Sequence, residues 1–245
     1  ALPTETVYGL GADACNPAAV RRIFSAKGRP PDHPLIVHLG EALQLDQWAR
    51  EAPPAARALV AAFWPGPLTL VLPRSPRASD LVTGGQDTVG LRCPAHPVAR
   101  ELLAAFGAAL AAPSANRYGH ISPTQAQHVR DELGERVAMI LDGGACPVGI
   151  ESTIVGFNAG KPVILRPGCI TAEQICALAG PLAQRSPAHT PRVSGDVPRH
   201  YAPDTLAELV GTEALPARLS ALMAQGLSVA VLSRAAVPAA HHALL

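Results

Sequence analysis

NPAAVRRIFSAKGRPPDHPLIVHL, residues Asn16 to Leu39, carries the fold class in one run. Asn16 is an N-cap and Pro17 suits the first helical position, where its missing N–H goes unneeded, so a helix opens there and runs to about Ala26. Lys27-Gly28-Arg29-Pro30-Pro31-Asp32-His33-Pro34 ends it with a flexible glycine and three prolines. Leu35-Ile36-Val37-His38-Leu39 then reads as a short apolar strand.

The same alternation continues outward. Helices are predicted around residues 42–50 and 54–63, and strands at Leu68–Leu72 and Val89–Arg92. The helix at 97–106 gathers Val98, Leu102, Leu103 and Phe106 on one face, and Ala109–Ala112 is a small-residue strand ending at Pro113. Ser122, with Gln125 at the third helical position, reads as the cap of a helix over 123–133. Strands at 137–141, 152–157 and 162–166 follow, the last two joined by the turn Asn158–Pro162. Thr171-Ala172-Glu173-Gln174 is a capping box opening a helix to about Leu178. This order predicts an α/β (mixed α+β) architecture, a mixed sheet flanked by helices.

Gln184–Pro203 is rich in Ser, Pro, Gly, Arg and His without apolar periodicity and reads as a linker after a domain spanning 1–183. Beyond it, 205–225 looks helical and Leu227–Leu232 looks like a buried strand, so 204–245 is expected to be part of a second small α/β domain. Ala1 stands directly before a polar motif, as if the chain began inside a domain, and the first residues do not read as a signal peptide.

Composition narrows the classes. The chain has 245 residues, 48% hydrophobic and 16% charged, ample for a core and unlike a disordered segment. Its net charge of +1 gives no global nucleic-acid signature, and no apolar run reaches membrane-spanning length. Cys15, Cys93, Cys146, Cys169 and Cys176 are scattered, matching neither a disulfide framework nor a zinc pattern, so a reducing cytoplasm is the expected compartment.

Three polar segments interrupt the Ala- and Leu-rich background: Pro3-Thr4-Glu5-Thr6-Val7-Tyr8-Gly9, the loop from Lys27, and Pro113-Ser114-Ala115-Asn116. Lys27 and Lys161 are the only lysines among twenty basic residues, and Lys27 stands beside Arg29, a pairing suited to phosphate oxygens or to a solvated helix end. Ser114 and Asn116 follow an apolar strand, at the edge where ligands of open α/β sheets collect. Arg92 and Arg166 lie in otherwise apolar strands and need either an internal carboxylate or a bound anion. His38, taken alone, reads more readily as a hydrogen-bonded core histidine than as a catalyst. The sequence contains no G-x-S-x-G, H-E-x-x-H, Walker A or G-x-G-x-x-G pattern. Residue chemistry alone reaches anion and small-molecule binding and leaves the reaction open.

PTETVYGLG (Pro3–Gly11), KGRPPDHPLIVHL (Lys27–Leu39), WPGPLTL (Trp64–Leu70), VGLRCP (Val89–Pro94), PSAN (Pro113–Asn116) and LRPG (Leu165–Gly168) together resemble the YrdC-like threonylcarbamoyl-AMP synthases, in the family's order. His200-Tyr201-Ala202-Pro203 resembles the connection to the extra C-terminal domain of the family's longer form. The resemblance implies a YrdC-like twisted mixed sheet and synthesis of L-threonylcarbamoyladenylate and pyrophosphate from L-threonine, bicarbonate and ATP with Mg2+. The product would pass to a downstream tRNA threonylcarbamoyl transferase complex.

The resemblance also implies site residues. Lys27, Arg29 and Arg92 would neutralise charge during catalysis. Thr4, Thr6, His38, Arg92, Ala112 and Ser152 would surround the threonine. Arg29, His33, Thr88, Ser114, Ser122, Arg166 and Tyr201 would surround ATP, without a metal held by protein ligands. His33 stands where relatives commonly carry Asn, and Ser194-Gly195-Asp196-Val197-Pro198 replaces a more basic stretch. Two rivals share the fold: a tRNA- or double-stranded-RNA-binding module without catalysis, and a carbamoyl-transfer domain like those of hydrogenase maturation.

Overall fold

The computed structural model describes residues 1–185, 190–195, 201–203 and 205–233. His200 and the Asp196-Val197-Pro198 stretch lie outside the described residues. The chain divides into two compact units, Ala1–Ala202 and Pro203–Leu245.

Seven strands form one mixed sheet in the first unit. They are β1 (Ala12–Asp13), β2 (Ile36–His38), β3 (Leu68–Pro73), β4 (Thr88–Arg92), β5 (Leu110–Ala111), β6 (Thr153–Asn158) and β7 (Lys161–Arg166). Their order across the sheet is β1-β5-β2-β4-β3-β6-β7. The pairs β2/β4 and β3/β6 are parallel and the others antiparallel. Between β6 and β7, Ala159 and Gly160 take φ of 48° and 75°, the left-handed pair that a two-residue hairpin requires.

Strand alternation gives the sheet two unlike faces. Val37, Leu68, Leu70, Leu72, Val89, Leu91 and Val155 enter the main core, which helices cover with Val20, Ile23, Trp48 and Leu59. Intervening positions such as Ile36, Val71 and Ile154 join Val163 and Leu165 in a second cluster, closed by Val193 of the linker. His38, Thr69 and Arg92 alternate onto this second face, so one run of strands supplies both a core and a polar floor.

α1 (Pro17–Lys27) is capped as expected, Asn16 accepting from the Ala18 and Ala19 N–H groups. It ends at Gly28, whose φ of 62° lets its N–H reach the Phe24 and Ser25 carbonyls. α2 (Leu45–Trp48), α3 (Pro54–Phe63), α4 (Asp80–Thr83), α5 (Pro97–Phe106), α6 (Ala126–Leu133) and α7 (Ala172–Ala179) follow, with the Thr171/Gln174 capping box formed.

Four expectations change. The buried face of α5 is Ala99 and Leu103, packed with Leu2 and Leu110, while Phe106 at its last turn is 44% exposed. The small Ala99 lets the helix dock closely, and Phe106 falls beyond the contact. α6 starts at Ala126 rather than 123, because the Pro123 carbonyl accepts the Tyr8 N–H in an extended stretch. Ser122 therefore caps nothing. Residues 137–141 form no strand, although the Leu141 N–H reaches the Ala1 carbonyl at 3.0 Å. In the second unit the helix contracts to α8 (Leu215–Ala224), opened by Pro216 in its first turn, and 227–230 carry no strand. Leu227 and Leu232 are exposed and only Val231 of that apolar run is buried below a tenth, so it does not act as a core strand.

Candidate active site

The carboxyl ends of β2 and β4 meet on the polar face. His38 and Arg92 are register partners on these parallel strands, which sets their side chains beside each other. Around them lies a hollow with about 470 Å3 of atom-free space, lined by Thr4, Thr6, Val7, Gly9, Arg29, Ile36, His38, Arg92, Ala112, Pro113, Ser114, Glu151, Ser152, Arg166 and Ser194. Nine residues expected at the site share this hollow: Thr4, Thr6, Arg29, His38, Arg92, Ala112, Ser114, Ser152 and Arg166.

The first polar segment folds back on itself. Thr4 Oγ1 donates to the Val7 carbonyl at 2.7 Å and lies 2.9 Å from Thr6 Oγ1, fixing both hydroxyls at the cavity wall. Between them Glu5 turns inward, and its Oε1 takes Arg92 Nη2 at 2.6 Å while Oε2 takes the Ala95 N–H at 2.9 Å. Burial alone would raise the Glu5 pKa, but the Arg92 charge and these hydrogen bonds outweigh it and hold it below the ordinary carboxylate value. Arg92 also donates to the Gly66 carbonyl at 3.3 Å. The internal carboxylate that its strand position demanded is thus Glu5.

His38 is fully buried. Its Nδ1 lies 3.3 Å from the Ile36 carbonyl, which can only accept, so Nδ1 carries the proton and Nε2 keeps a free lone pair. Burial, seconded by the Arg92 charge, lowers its pKa to about 3, making it a neutral acceptor at physiological pH.

The α1 terminus delivers two further cations. Lys27 lies outside the cavity lining, and its Nζ donates at 2.5 Å to both the Ser114 and Asn116 carbonyls, bracing the Pro113–Asn116 turn from behind. Burial and the neighbouring Arg29 charge push its pKa down to about 7. Arg29 donates to the Pro34 carbonyl at 2.9 Å and to Ser194 Oγ at 3.3 Å, and its guanidinium sits 5.7 Å from the Tyr118 ring centre. Among the described residues no carboxylate pairs with Arg29, and its buried Nε has no hydrogen-bond partner. Burial lowers its pKa to about 10. His33 stands apart from the hollow but joins the same cluster, its Nε2 lying 3.2 Å from the Tyr118 hydroxyl.

Glu151 and Arg166 close the opposite wall as an ion pair of two nearly buried side chains. Arg166 spends further N–H groups on Ser152, Nη2 to its carbonyl at 2.9 Å and to its Oγ at 3.1 Å. Thr69 Oγ1 in turn holds Ser152 Oγ at 2.8 Å. Ser122 and Tyr201 line an adjoining hollow with about 770 Å3 of atom-free space that shares Val7 and Glu151 with the first. Thr88 is separate. It begins β4, on the face of Arg92 but a strand length away, and lines a small cavity with Val193 that shares Ile36 and Ser194 with the main hollow.

Glu5, Tyr118, Glu151 and Ser194 are the residues that sequence reading did not assign. Glu5 and Glu151 each carried a signal, since each stands inside or beside a polar motif and two strand arginines lacked a partner. Tyr118 and Ser194 carried none.

Fold and site together define an α/β protein with a cation-rich small-molecule cavity at the strand ends. Residues 1–168 match the family model Sua5_yciO_yrdC, described as telomere recombination. The chain belongs to this Sua5/YciO/YrdC family. It is 45% identical over 218 residues to the threonylcarbamoyl-AMP synthase of Pyrococcus abyssi, covering 87% of this chain and 64% of that protein. With the threonylcarbamoyl-AMP synthase of Bacillus subtilis it shares 47% identity over 228 residues, 91% of this chain and 65% of that one. The chain thus spans just under two thirds of the length of these curated relatives. The crystal structure of P. abyssi Sua5 complexed with L-threonine superposes with a TM-score of 0.90 at 39% identity, covering all of this chain and 75% of that one.

Proposed function

We propose that this protein is an L-threonylcarbamoyladenylate synthase, converting L-threonine, bicarbonate and ATP into threonylcarbamoyl-AMP, pyrophosphate and water. The observation that carries the reading is Arg29, a buried cation without a carboxylate partner among the described residues, lining one hollow with a neutral histidine and paired threonine hydroxyls. Such a cavity suits a small zwitterion beside a polyanion. Its similarity to a protein crystallised with L-threonine supports the choice of amino acid.

In this reading Thr4, Thr6, His38, Ala112 and Ser152 hold threonine, with the His38 Nε2 lone pair accepting one of its polar hydrogens. The amine takes up CO2 from bicarbonate and loses a proton, giving a carbamate. A carbamate oxygen then attacks the α-phosphorus and pyrophosphate leaves. Two anions must approach each other, and Arg29 and Arg92 stabilise the charge that builds up, with Lys27 holding the Ser114 turn against it. Arg29, His33, Ser114, Ser122, Arg166 and Tyr201 serve the nucleotide. Thr88 joins this group through the cavity it shares with Val193 and Ser194, along which the adenosine end extends. Catalysis is positioning and charge neutralisation, without a covalent protein nucleophile.

Among the described residues no group of three or more His, Cys, Asp or Glu could cage a metal. In this reading Mg2+ is carried on the triphosphate, where it would supply charge screening between phosphate oxygens, and Glu151 is the one carboxylate lining the hollow. The product, a reactive mixed anhydride, calls for a downstream transferase acting on tRNA, and that coupling places the reaction in the cytoplasm. Among the described residues no helix is long and apolar enough to cross a membrane.

The test is pyrophosphate release from ATP with each substrate omitted in turn. Release that requires both threonine and bicarbonate supports the synthase. Nucleic-acid binding without any release would favour the RNA-binding module, and release driven by carbamoyl phosphate would favour carbamoyl transfer.

A further inference from the structure

The Glu151 carboxylate is the junction of the nucleotide half of the site. Its Oε1 accepts the Ser122 hydroxyl at 2.9 Å, and its Oε2 accepts the Tyr201 hydroxyl at 2.7 Å. Arg166 Nη1 pairs with the same Oε2 while also donating to the Ser194 carbonyl at 2.9 Å. These three partners, among the described residues, come from three places: the extended stretch before α6, strand β7, and the linker. Ser122 is not a helix cap, so its hydroxyl orientation toward Glu151 has no other structural explanation. Tyr201 adopts φ of 55°, an unfavourable left-handed conformation for a side chain-bearing residue, and its charge-assisted hydrogen bond to Glu151 offsets that.

A carboxylate in a hollow meant for a triphosphate weakens anion binding by simple repulsion. Its presence makes sense when it arranges donors that would otherwise be scattered. We propose that Glu151 is a positioning residue that aims Arg166 and Ser122 at the nucleotide and latches Tyr201, so that linker and nucleotide subsite respond to each other through one side chain. This rests on the nucleotide reading of the cavity given above.

Equilibrium binding of ATP to the intact protein tests it, independently of turnover. The variants are Glu151→Ala, Tyr201→Phe and the double variant, with folding checked by thermal unfolding and Glu151→Gln replacing Glu151→Ala if the latter does not fold. Glu151→Ala is expected to weaken ATP binding roughly tenfold, the scale of one lost charge-assisted contact, while threonine affinity stays within about twofold. Tyr201→Phe is expected to cost roughly threefold alone and almost nothing in the Glu151→Ala background, the mark of residues acting through each other. Glu151→Asp should recover part of the loss. Independent, multiplicative effects of the two substitutions would overturn the latch, as would unchanged ATP affinity in Glu151→Ala or a wild-type protein that does not bind ATP. A wild-type protein showing the coupling but no threonine-dependent pyrophosphate release would leave the latch standing and sink the synthase reading instead.

Discussion

Arg92 Nη2 stands 2.6 Å from Glu5 Oε1, with the two side chains only 5% and 10% exposed. A charge pair so far from water holds together because each partner is also hydrogen-bonded, Glu5 by the Ala95 N–H and Arg92 by the Gly66 carbonyl. Removing one charge strands the other. Glu5→Gln is therefore expected to destabilise the fold by about 3 kcal/mol in denaturant unfolding. A loss below about 1 kcal/mol would mean that water reaches the pair.

Arg29 and Arg92 differ in what neutralises them, and this separates their variants. Arg29→Ala and Arg92→Ala are each expected to cut pyrophosphate release at least roughly tenfold, because both donors face developing negative charge. Arg92→Ala also leaves Glu5 buried without its cation and should lower the thermal midpoint, whereas Arg29→Ala should not. Near-wild-type rates in both variants would refute the roles.

His38 gives the protein an acid-sensitive core. Burial sets its folded pKa at about 3 against 6.5 for the free side chain, so below pH 6.5 the unfolded chain binds a proton that the folded one refuses. Stability is full above pH 6.5 and falls as pH drops toward 3. Between pH 7 and pH 5 the loss from this group is about 2 kcal/mol. Denaturant titrations of wild type and His38→Gln at these two pH values should differ by that amount, and parallel curves would contradict it.

The loop carrying Arg29 and His33 depends on a glycine far away in sequence. Gly84 has φ of 62°, and a Cβ there would lie 2.2 Å from the Asp32 carbonyl oxygen. Gly28 has the same φ, but a Cβ added to it would meet nothing within 4 Å. Gly28→Ala should cost about 1 kcal/mol, the left-handed penalty alone, while Gly84→Ala should cost clearly more and weaken ATP binding as the loop shifts. Equal losses in thermal unfolding would show that the loop yields freely.

Where chemistry is local, the sequence was readable. The Asn16 cap, the Gly28 stop and the β6–β7 turn each depend on residues a few positions apart, and all formed as read. The motifs also converged, since strand alternation puts His38 and Arg92 on one face once β2 and β4 pair in parallel. What failed depended on tertiary partners. Ser122 has the pattern of a cap, but Tyr8 takes the Pro123 carbonyl and keeps the stretch extended. Phe106 fits the apolar period of its helix, yet the helix docks on Ala99. The two internal carboxylates could be anticipated as a need of Arg92 and Arg166, but choosing Glu5 and Glu151 required the fold.

Mass spectrometry of the products formed from ATP, L-threonine and 13C-bicarbonate tests the synthase reading most directly. The expected result is an adenylate containing threonine and one labelled carbon, absent when any substrate is omitted and strongly reduced in Arg29→Ala. ATP bound by a correctly folded protein without any such adenylate, or with the label missing from it, would contradict the reading.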